Sequence, residues 1–314
     1  MAMPMQRRTS RKKPPRAAIR IGLSGWTYAG WRGHFYPKGL SRKSELAFAA
    51  RQLPALEING TFYGLQKPHS FAQWAETTPE GFVFAVKGSR FITHIRRLRE
   101  IETPLANFLA SGLLRLGPKL GPLLWQFPPS FRFDPDLMGD FFALLPKDTE
   151  AAAALARRHD ERLAGRAAVQ TDAKRPMRHA VEIRHESFRD PAFIDLLRRH
   201  GIALVCADTV DWPRLMDLTA DFVYCRLHGS DELYRSRYAE PELKRWARRI
   251  EAWASGQPMT DGAFAGDRDE APGRPRDVFL FFDNTDKRHA PANAASLMDM
   301  LDLAWQPDAA DRAA

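Results

Sequence analysis

The chain has 314 residues, of which 44% are hydrophobic and 27% charged, a composition typical of a globular protein with enough apolar material for a core. No apolar run approaches the roughly 20 residues that a membrane-spanning helix needs, so we expect a cytoplasmic protein without membrane contact. The two cysteines, Cys206 and Cys225, do not have the spacing of zinc ligands.

The amino terminus carries most of the net charge of +9. Residues 1–17 contain six arginines and lysines and no acidic residue, which leaves an excess of only three positive charges for the rest of the chain. A basic segment that contains proline is typically disordered, and we expect the same flexibility at 306–314. The tail is predicted to add, at most, nonspecific contacts with nucleic acid.

Eight short runs rich in β-branched and aromatic residues are predicted to be strands. They cover residues 19–26, 56–63, 82–89, 122–128, 179–186, 203–209, 222–229 and 278–285. Helical patterns at 41–52, 68–76, 101–116, 188–200, 240–253 and 290–305 alternate with them. The alternation predicts an α/β fold, a (β/α)₈ TIM-type barrel. A doubly wound open sheet is the alternative, but the glycine fingerprint typical of it does not follow the first strand.

Two connections are longer than usual. The segment 129–178 is predicted to insert two helices after strand 4, and 256–277, rich in Gly, Pro and Asp, to form a long loop before strand 8. The prediction is one barrel domain over residues 18–305. If Asp208 and Arg226 both face into the barrel, alternation places Cys206 and Cys225 on opposite sides of the sheet, where they cannot pair.

Polar side chains gather at the predicted carboxyl ends of the strands, where barrel enzymes bind their ligands. Charged groups are costly to bury singly, so we expect them to form one network around a pocket. The predicted catalytic residues are His228, Glu182 and Asp208, and the predicted ligand-binding residues are Trp26, Glu57, Asn59, Thr61, Tyr63, Lys87, Gln126, Arg184, His185, Arg226, Asp283 and Asn284. A lattice of structural ion pairs is the alternative interpretation.

These residue types favour acid–base chemistry on an anion. His228 is suited to transfer protons near neutral pH with help from Glu182, while Lys87, Arg184 and Arg226 are suited to bind a carboxylate or a phosphate. The same cations oppose metal binding, so we expect no metal and no cofactor. One weakly held ion on the carboxylates is the alternative. Most aromatic residues after strands 1 and 2 are expected to pack the barrel, and Trp26 to touch the ligand.

Five ordered motifs carry a resemblance to a known family: GLSGWTYAGWRGHFYP, LPALEINGTFYGLQKP, AVEIRHESF, YCRLHGSDELY and FFDNTDKRHAPANA. They resemble the YecE-like proteins, domain-of-unknown-function family 72, from about Ile19 to Trp305. The resemblance implies a TIM-type barrel and supports the fold more than a function. It highlights most of the site residues above, together with Trp31, Phe62 and Gly229.

The functional prediction is therefore a ligand-binding mouth at the carboxyl-terminal face of the barrel. The reaction we expect is hydrolysis of a phosphorylated or nucleotide-like substrate, without a metal ion or with one held weakly. The alternative is a protein that binds a small anionic ligand or nucleic acid without turning it over.

Overall fold

The computed structural model describes residues 16–229, 237–259, 261–267, 273–284 and 289–307. In these residues eight parallel strands close into a barrel in sequence order. They are β1 (Ile19–Ser24), β2 (Ala55–Ile58), β3 (Val83–Lys87), β4 (Leu120–Gln126), β5 (His179–Glu182), β6 (Ala203–Asp208), β7 (Phe222–Leu227) and β8 (Asp277–Phe282). The predicted (β/α)₈ barrel is confirmed.

Helices surround the strands. Their bounds are α1 (Glu45–Gln52), α2 (Gly60–Tyr63), α3 (Pro68–Thr77), α4 (Glu102–Ala110), α5 (Pro135–Leu144), α6 (Thr149–Ala156), α7 (Pro191–His200), α8 (Glu240–Ser255) and α9 (Ala290–Met300). The predicted helix 101–116 ends early because Gly112 takes a left-handed conformation with φ of 118°. The insertion after β4 holds α5 and α6, whose first turns are capped by Asp134 and Asp148.

Strand side chains alternate between two apolar layers. Leu23, Leu56 and Leu280 belong to the large layer between barrel and helices. Tyr224 and Phe281 belong to the smaller layer inside the barrel, where several facing positions are alanines. Small residues opposite large aromatic ones fill the tapering interior, which is therefore a packed core rather than a channel. Beyond this layer, at the carboxyl ends of the strands, the inward positions become polar.

The second strand is shorter than predicted. It ends at Ile58, and the chain then turns into the short helix α2. The Thr61 hydroxyl lies 3.0 Å from the Ile58 carbonyl oxygen and 2.6 Å from that of Lys87, which ties the turn to the end of β3. The motif is therefore a strand followed by a capped turn, and alternation no longer applies beyond Asn59.

The first described residues, Arg16 and Ala17, contact the barrel wall. The Arg16 guanidinium lies 3.0 Å from Glu251 and 3.1 Å from the Leu301 carbonyl oxygen, and Ala17 bonds to Ala254. These two residues, predicted to be part of the tail, join the fold. The predictions for 1–15, for 308–314 and for part of the long loop before β8 lie outside the described residues. No helix among those described is long and apolar enough to cross a membrane.

The inference that the two thiols face opposite sides of the sheet is wrong. Cys206 and Cys225 are register partners on β6 and β7, and both belong to the outer apolar layer. The premise about Asp208 failed: it follows Ala207, an inner residue, and so points outward. Both cysteines are buried free thiols, and burial raises the pKa of Cys225 well above its usual value.

Candidate functional site

Inward-facing polar side chains follow the inner apolar layer at the carboxyl ends of the strands. Alternation places each of them two residues after a glycine or an apolar inner residue. They are Ser24, Glu57, Lys87, Gln126, Glu182, Arg226 and Asp283. Seven strands therefore contribute to one mouth, and β6 contributes Ala207 instead.

Arg226 is the centre of the mouth. Its Nη1 lies 2.6 Å from Glu182 Oε2, and its Nη2 lies 2.9 Å from Asp283 Oδ2. Glu57 receives two bonds, from Nε at 3.1 Å and from Nη2 at 2.9 Å. The side chain is only 1% exposed. One guanidinium thus joins carboxylates from β2, β5 and β8, and its donors are used within the protein.

Glu57 is fixed from two further directions. The Ser24 hydroxyl donates to its Oε1 at 2.6 Å, and the Tyr224 hydroxyl donates to its Oε2 at 2.6 Å. The Asn59 amide in turn donates to Ser24 Oγ at 2.8 Å. A carboxylate with this many donors is held in one orientation.

The charges set the ionisation of the buried groups. Burial alone would raise the pKa of Glu182, but Arg226, Arg184 and His228 outweigh it and hold that pKa well below its usual value. The pKa of Asp283 is also lowered, because the attraction of Arg226 and the hydrogen bond to His228 exceed the opposing effect of burial. Both carboxylates are therefore charged throughout the neutral range.

His228 lies between these two carboxylates. Its Nδ1 is 3.0 Å from Asp283 Oδ2, and its Nε2 is 3.4 Å from Glu182 Oε2. The ring has no exposed surface, and the indole of Trp212 packs edge-on against it at 5.6 Å. Nε2 also lies 3.5 Å from Arg226 Nη1, so both ring nitrogens face charged groups of the network.

Arg184 forms the rim above Glu182. Its Nε and Nη2 bond to Glu182 Oε1 at 3.0 and 2.8 Å, and its guanidinium stacks on the Trp212 ring at 4.1 Å. The side chain keeps 12% exposure. Arg184 therefore carries positive charge to the surface of the mouth, whereas Arg226 does not.

Lys87 faces the same mouth from β3. Its ammonium lies 4.3 Å from the centre of the Phe62 ring, and that ring packs edge-on against His94 at 5.0 Å. Burial and the positive charge of Arg226 lower the pKa of Lys87 to about 8. Burial, with the charges of Lys87 and Arg184, lowers the pKa of His94 to about 4.

Two amide oxygens and a small cavity complete the mouth. Within the described ranges, Gln126 Oε1 and Asn59 Oδ1 are buried and have no hydrogen-bond partner in the protein. Asn59 also lines a cavity of about 250 Å³ whose apolar walls are Trp26 and Trp74. The arrangement offers hydrogen-bond acceptors beside an aromatic wall.

Several predicted site residues lie elsewhere. The Asp208 carboxylate points outward and accepts from Arg214 at 2.6 Å and from Trp246 at 3.1 Å. It therefore lies on the other face of the sheet from the His228 ring, although the Asp208 carbonyl oxygen accepts from the His228 amide at 2.9 Å. Asn284 also points outward and donates to Asn293 of α9 at 3.2 Å. The parity of neighbouring residues decides both cases, because Ala207 and Asp283 occupy the inward positions.

Three other predicted ligand-binding residues lie outside the mouth. Thr61 is buried and bonds to backbone carbonyls, as described above. His185 accepts from the Ser187 amide at 3.0 Å and so caps the turn after β5. Tyr63 is 72% exposed on α2, beyond the end of β2.

Sequence reasoning did not select Ser24 or Trp212. The position of Ser24, two residues after Gly22 on β1, is a signal that strand alternation contains. Trp212 lies in the loop after β6, where no periodicity operates, and only the folded chain brings it over Arg184. His94 is not among the predicted site residues, and its contact with Phe62 follows from the turn after β2.

The described residues contain no group of three or more His, Cys, Asp or Glu that is arranged to hold a metal ion. Three carboxylates do converge, but the guanidinium of Arg226 lies between them and pairs with all three. A divalent cation at that point would have to displace an arginine from three ion pairs.

With this geometry established, comparison with known proteins identifies the family. The model of the family described as "Protein of unknown function DUF72" matches residues 20–313. The chain belongs to the DUF72 family. The resemblance seen in the sequence motifs is confirmed.

Curated relatives support the same assignment. UPF0759 protein YunF of Bacillus subtilis is 29% identical over 36% of this chain, and UPF0759 protein YecE of Escherichia coli K12 is 31% identical over 36%. The matches span 41% and 39% of the relatives' own lengths.

Solved DUF72 structures share the fold. The Thermotoga maritima protein superposes with a TM-score of 0.68 at 24% identity, covering 91% of this chain and 99% of that one. An Enterococcus faecalis protein gives 0.66 at 18% identity, covering 92% of this chain and 97% of that one. At these identities the likeness establishes the barrel alone.

Proposed function

We propose that the mouth is the active site of an acid–base enzyme that acts on a small anionic substrate. The observation that supports this most strongly is the His228 imidazole, held between the Asp283 and Glu182 carboxylates at the carboxyl ends of the strands. An oriented imidazole at this face is the arrangement that barrel enzymes use for proton transfer. Lys87 and Arg184 supply positive charge beside it.

Each residue has a distinct role in this proposal. Asp283 orients the ring by accepting from Nδ1, and Nε2 takes or returns the proton. Glu182, charged because of its arginine partners, stabilises the imidazolium form and holds Arg184 in place. Arg226 is a positioning residue, because its donors are used by the carboxylates and it is 1% exposed.

Trp212 controls access in this account. It covers His228 and stacks on Arg184, so a substrate reaches the imidazole only when this indole moves. Displacing it would free the Arg184 face for an anion. Trp26, Asn59 and Gln126 then offer an aromatic wall and two acceptor oxygens to the remainder of the substrate.

Charge limits the size of the ligand. Among the described mouth residues, three cations (Lys87, Arg184 and Arg226) face three carboxylates (Glu57, Glu182 and Asp283), so protonated His228 adds a single positive charge. This balance favours a small anion over a polyanion, which needs a continuous basic surface. Hydrolysis of a phosphorylated or nucleotide-like compound is the reaction we expect.

The test measures hydrolysis of p-nitrophenyl phosphate, its bis ester and nucleoside monophosphates. We expect His228→Asn and Glu182→Gln to lower kcat at least about 100-fold, the usual contribution of acid–base groups. Arg178→Met, at the opposite end of the barrel, is the matched control and keeps the wild-type rate. Equal rates in all of these proteins would overturn the proposed roles.

Binding without turnover is the second candidate, because His228 has no exposed surface in this structure. Calorimetry with inorganic phosphate separates the two. Binding that Lys87→Met and Arg184→Met weaken, without hydrolysis of any substrate above, favours the binding protein. Affinity for a small anion that falls only slightly with salt would exclude a contribution from an extended basic surface.

A further inference from the structure

Lys87 differs from the other cations of the mouth. Arg184 and Arg226 form ion pairs with Glu182, and Arg226 also pairs with Glu57 and Asp283. For the Lys87 ammonium, the ring of Phe62 is the contact that the described part of the chain provides, with no hydrogen bond or ion pair. An unpaired lysine beside three carboxylates is unusual, because such groups ordinarily pair when they are taken out of water.

The arginine accounts for this isolation. Five hydrogen bonds from Arg226 fix Glu57, Glu182, Asp283 and Ser24, so the carboxylates already have donors at close range. Lys87 receives the repulsion of that guanidinium at the same time. The Phe62 ring favours the ammonium form, yet burial and Arg226 act more strongly and bring the pKa to about 8. A substantial fraction of the amine is neutral at pH 7 to 8 as a result.

Lys87 also faces the mouth of the barrel. Lys87 is half-buried, at the end of β3, where its backbone carbonyl is already fixed by Thr61. A lysine used only to brace the barrel would be expected to bond to a carbonyl or carboxylate, as Lys119 does with the carbonyls of Ala75 and Thr78. A rigid strand end with an unpaired, desolvated amine at the mouth is the arrangement that covalent lysine catalysis needs.

We propose that Lys87 forms an imine with the carbonyl group of a small anionic substrate, of the class of the oxo acids. The inference rests on the proposed function for the position of the ligand in the mouth. Lys87 is then a catalytic residue, and the carboxylate of the substrate binds toward Arg184. Lys87 faces the mouth from β3 beside Phe62, and Arg184 lies at its rim above Glu182.

The chemistry balances without an oxidant. The lone pair of the neutral amine adds to the carbonyl carbon, and the carbonyl oxygen takes a proton to give a carbinolamine. Loss of that oxygen as water, with departure of the remaining N–H proton, leaves the imine. The overall change is amine plus carbonyl to imine plus water. His228 is the mouth residue suited to supply and accept these protons.

Reductive trapping tests the inference on the intact protein. Glyoxylate or pyruvate is added with sodium cyanoborohydride at pH 7.5, and the modified lysines are located by peptide mass spectrometry. We expect Lys87 to be converted at least ten times faster than Lys174, an exposed lysine paired with Asp148 and Glu150. Equal rates for the two lysines would overturn the proposal.

Two variants separate covalent chemistry from charge. Lys87→Arg keeps a cation for the anion but has no amine that forms an imine, and Lys87→Met loses both. We expect trapping at this position to vanish in both, and phosphate to bind Lys87→Arg nearly as well as wild type. Lys174→Met is the control and leaves trapping at Lys87 unchanged.

The two proposals fail in different ways. Rapid trapping at Lys87 with unchanged hydrolysis in His228→Asn would support the imine and reject the hydrolytic role of His228. Loss of hydrolysis in His228→Asn, with Lys87 no more reactive than Lys174, would do the reverse. Circular dichroism of each variant confirms that the barrel is folded before either conclusion is drawn.

Discussion

The two ends of the barrel both place an arginine among carboxylates, in opposite surroundings. At the amino-terminal end, Arg178 lies 2.8 Å from Asp277 and 3.2 Å from Asp221, and its side chain is 29% exposed. At the carboxyl-terminal end, Arg226 joins Glu57, Glu182 and Asp283 and is 1% exposed. Ion pairs between an arginine and carboxylates are thus exposed to solvent at one end of the barrel and buried at the other.

The difference supports the proposal that the functional site lies at the carboxyl-terminal end. Exposed ion pairs contribute about 0.2–1 kcal/mol and suit the closing of a barrel end. A buried network carries a desolvation cost that well-packed apolar side chains would avoid, so stability alone does not explain it. We infer that the carboxyl-terminal network is kept to orient His228 and to isolate Lys87.

The largest expected effect comes from removing the buried arginine. Arg226→Met leaves Glu57, Glu182 and Asp283 buried without their common partner, so we expect the free energy of unfolding to fall by about 3–5 kcal/mol or the protein not to fold. Arg178→Met should lose at most about 1 kcal/mol. Urea unfolding of the two variants measures the contrast, and equal losses would break it.

Lowering the pH is a second way to compare the buried network with the exposed ion pairs at the opposite end of the barrel. The folded-state pKa values of Glu182 and Asp283 are lowered, so their stabilisation is present above the unfolded-state values of about 4 and is lost as pH falls through that range and below. We expect Glu182→Gln to lose about 1–3 kcal/mol at pH 7 and to show a flatter dependence of the unfolding free energy on pH between 5 and 3.

The outcome that contradicts this is an unchanged slope in Glu182→Gln. Asp221→Asn, at the exposed end of the barrel, provides the control. It removes one carboxylate from an exposed pair and is expected to change stability at pH 7 only slightly.

Lys87 gives a smaller effect of the same sign, in the alkaline range instead of the acid range. With a folded-state pKa of about 8, it binds fewer protons than in the unfolded chain up to the ordinary value of about 10.4, so stability rises with pH over this window. Lys87→Met removes that rise. Trace acylation should show half-maximal reactivity of Lys87 near pH 8.

Lys174 provides the internal reference for the acylation experiment, because the charge of Asp148 raises its pKa. It should react only at higher pH. If the two amines titrate over the same pH range, the surroundings of Lys87 do not lower its pKa, and this part of the proposal is wrong.

Thr61→Val has the smallest expected effect. It distinguishes a structural role of Thr61 from a direct contact with the ligand. The hydroxyl bonds to the carbonyls of Ile58 and Lys87, so we expect a loss of about 1 kcal/mol in thermal or urea unfolding. Affinity for inorganic phosphate should remain as in wild type. A loss of phosphate affinity without a loss of stability would instead indicate that Thr61 contacts the ligand.

Strand alternation and the location of barrel ligands allowed the sequence to predict the central network. Glu57, Glu182, Arg226 and Asp283 share the inward parity, and their meeting follows once the strands close in order. Asp208 and Asn284 failed because each was one residue out of phase with the inner face. Trp212 was missed because its place depends on a loop, and no local pattern encodes where a loop returns.

The sequence could not predict the partners and the exposure of each site residue, for another reason. The sequence does not distinguish Arg226 from Arg184. In the structure, Arg226 pairs with three carboxylates, whereas Arg184 reaches the rim of the mouth. Lys87 is set apart from them by what its neighbours already bind. Such competition for partners depends on distances that only the closed barrel provides.

The most direct test of the central claim is a crystal structure of the protein soaked with inorganic phosphate. The account predicts an anion in the carboxyl-terminal mouth, bonded to Lys87 and Arg184, with Trp212 displaced from His228. Phosphate bound only outside the mouth, with Lys87 on Phe62 and Trp212 on Arg184 as they are now, would contradict it.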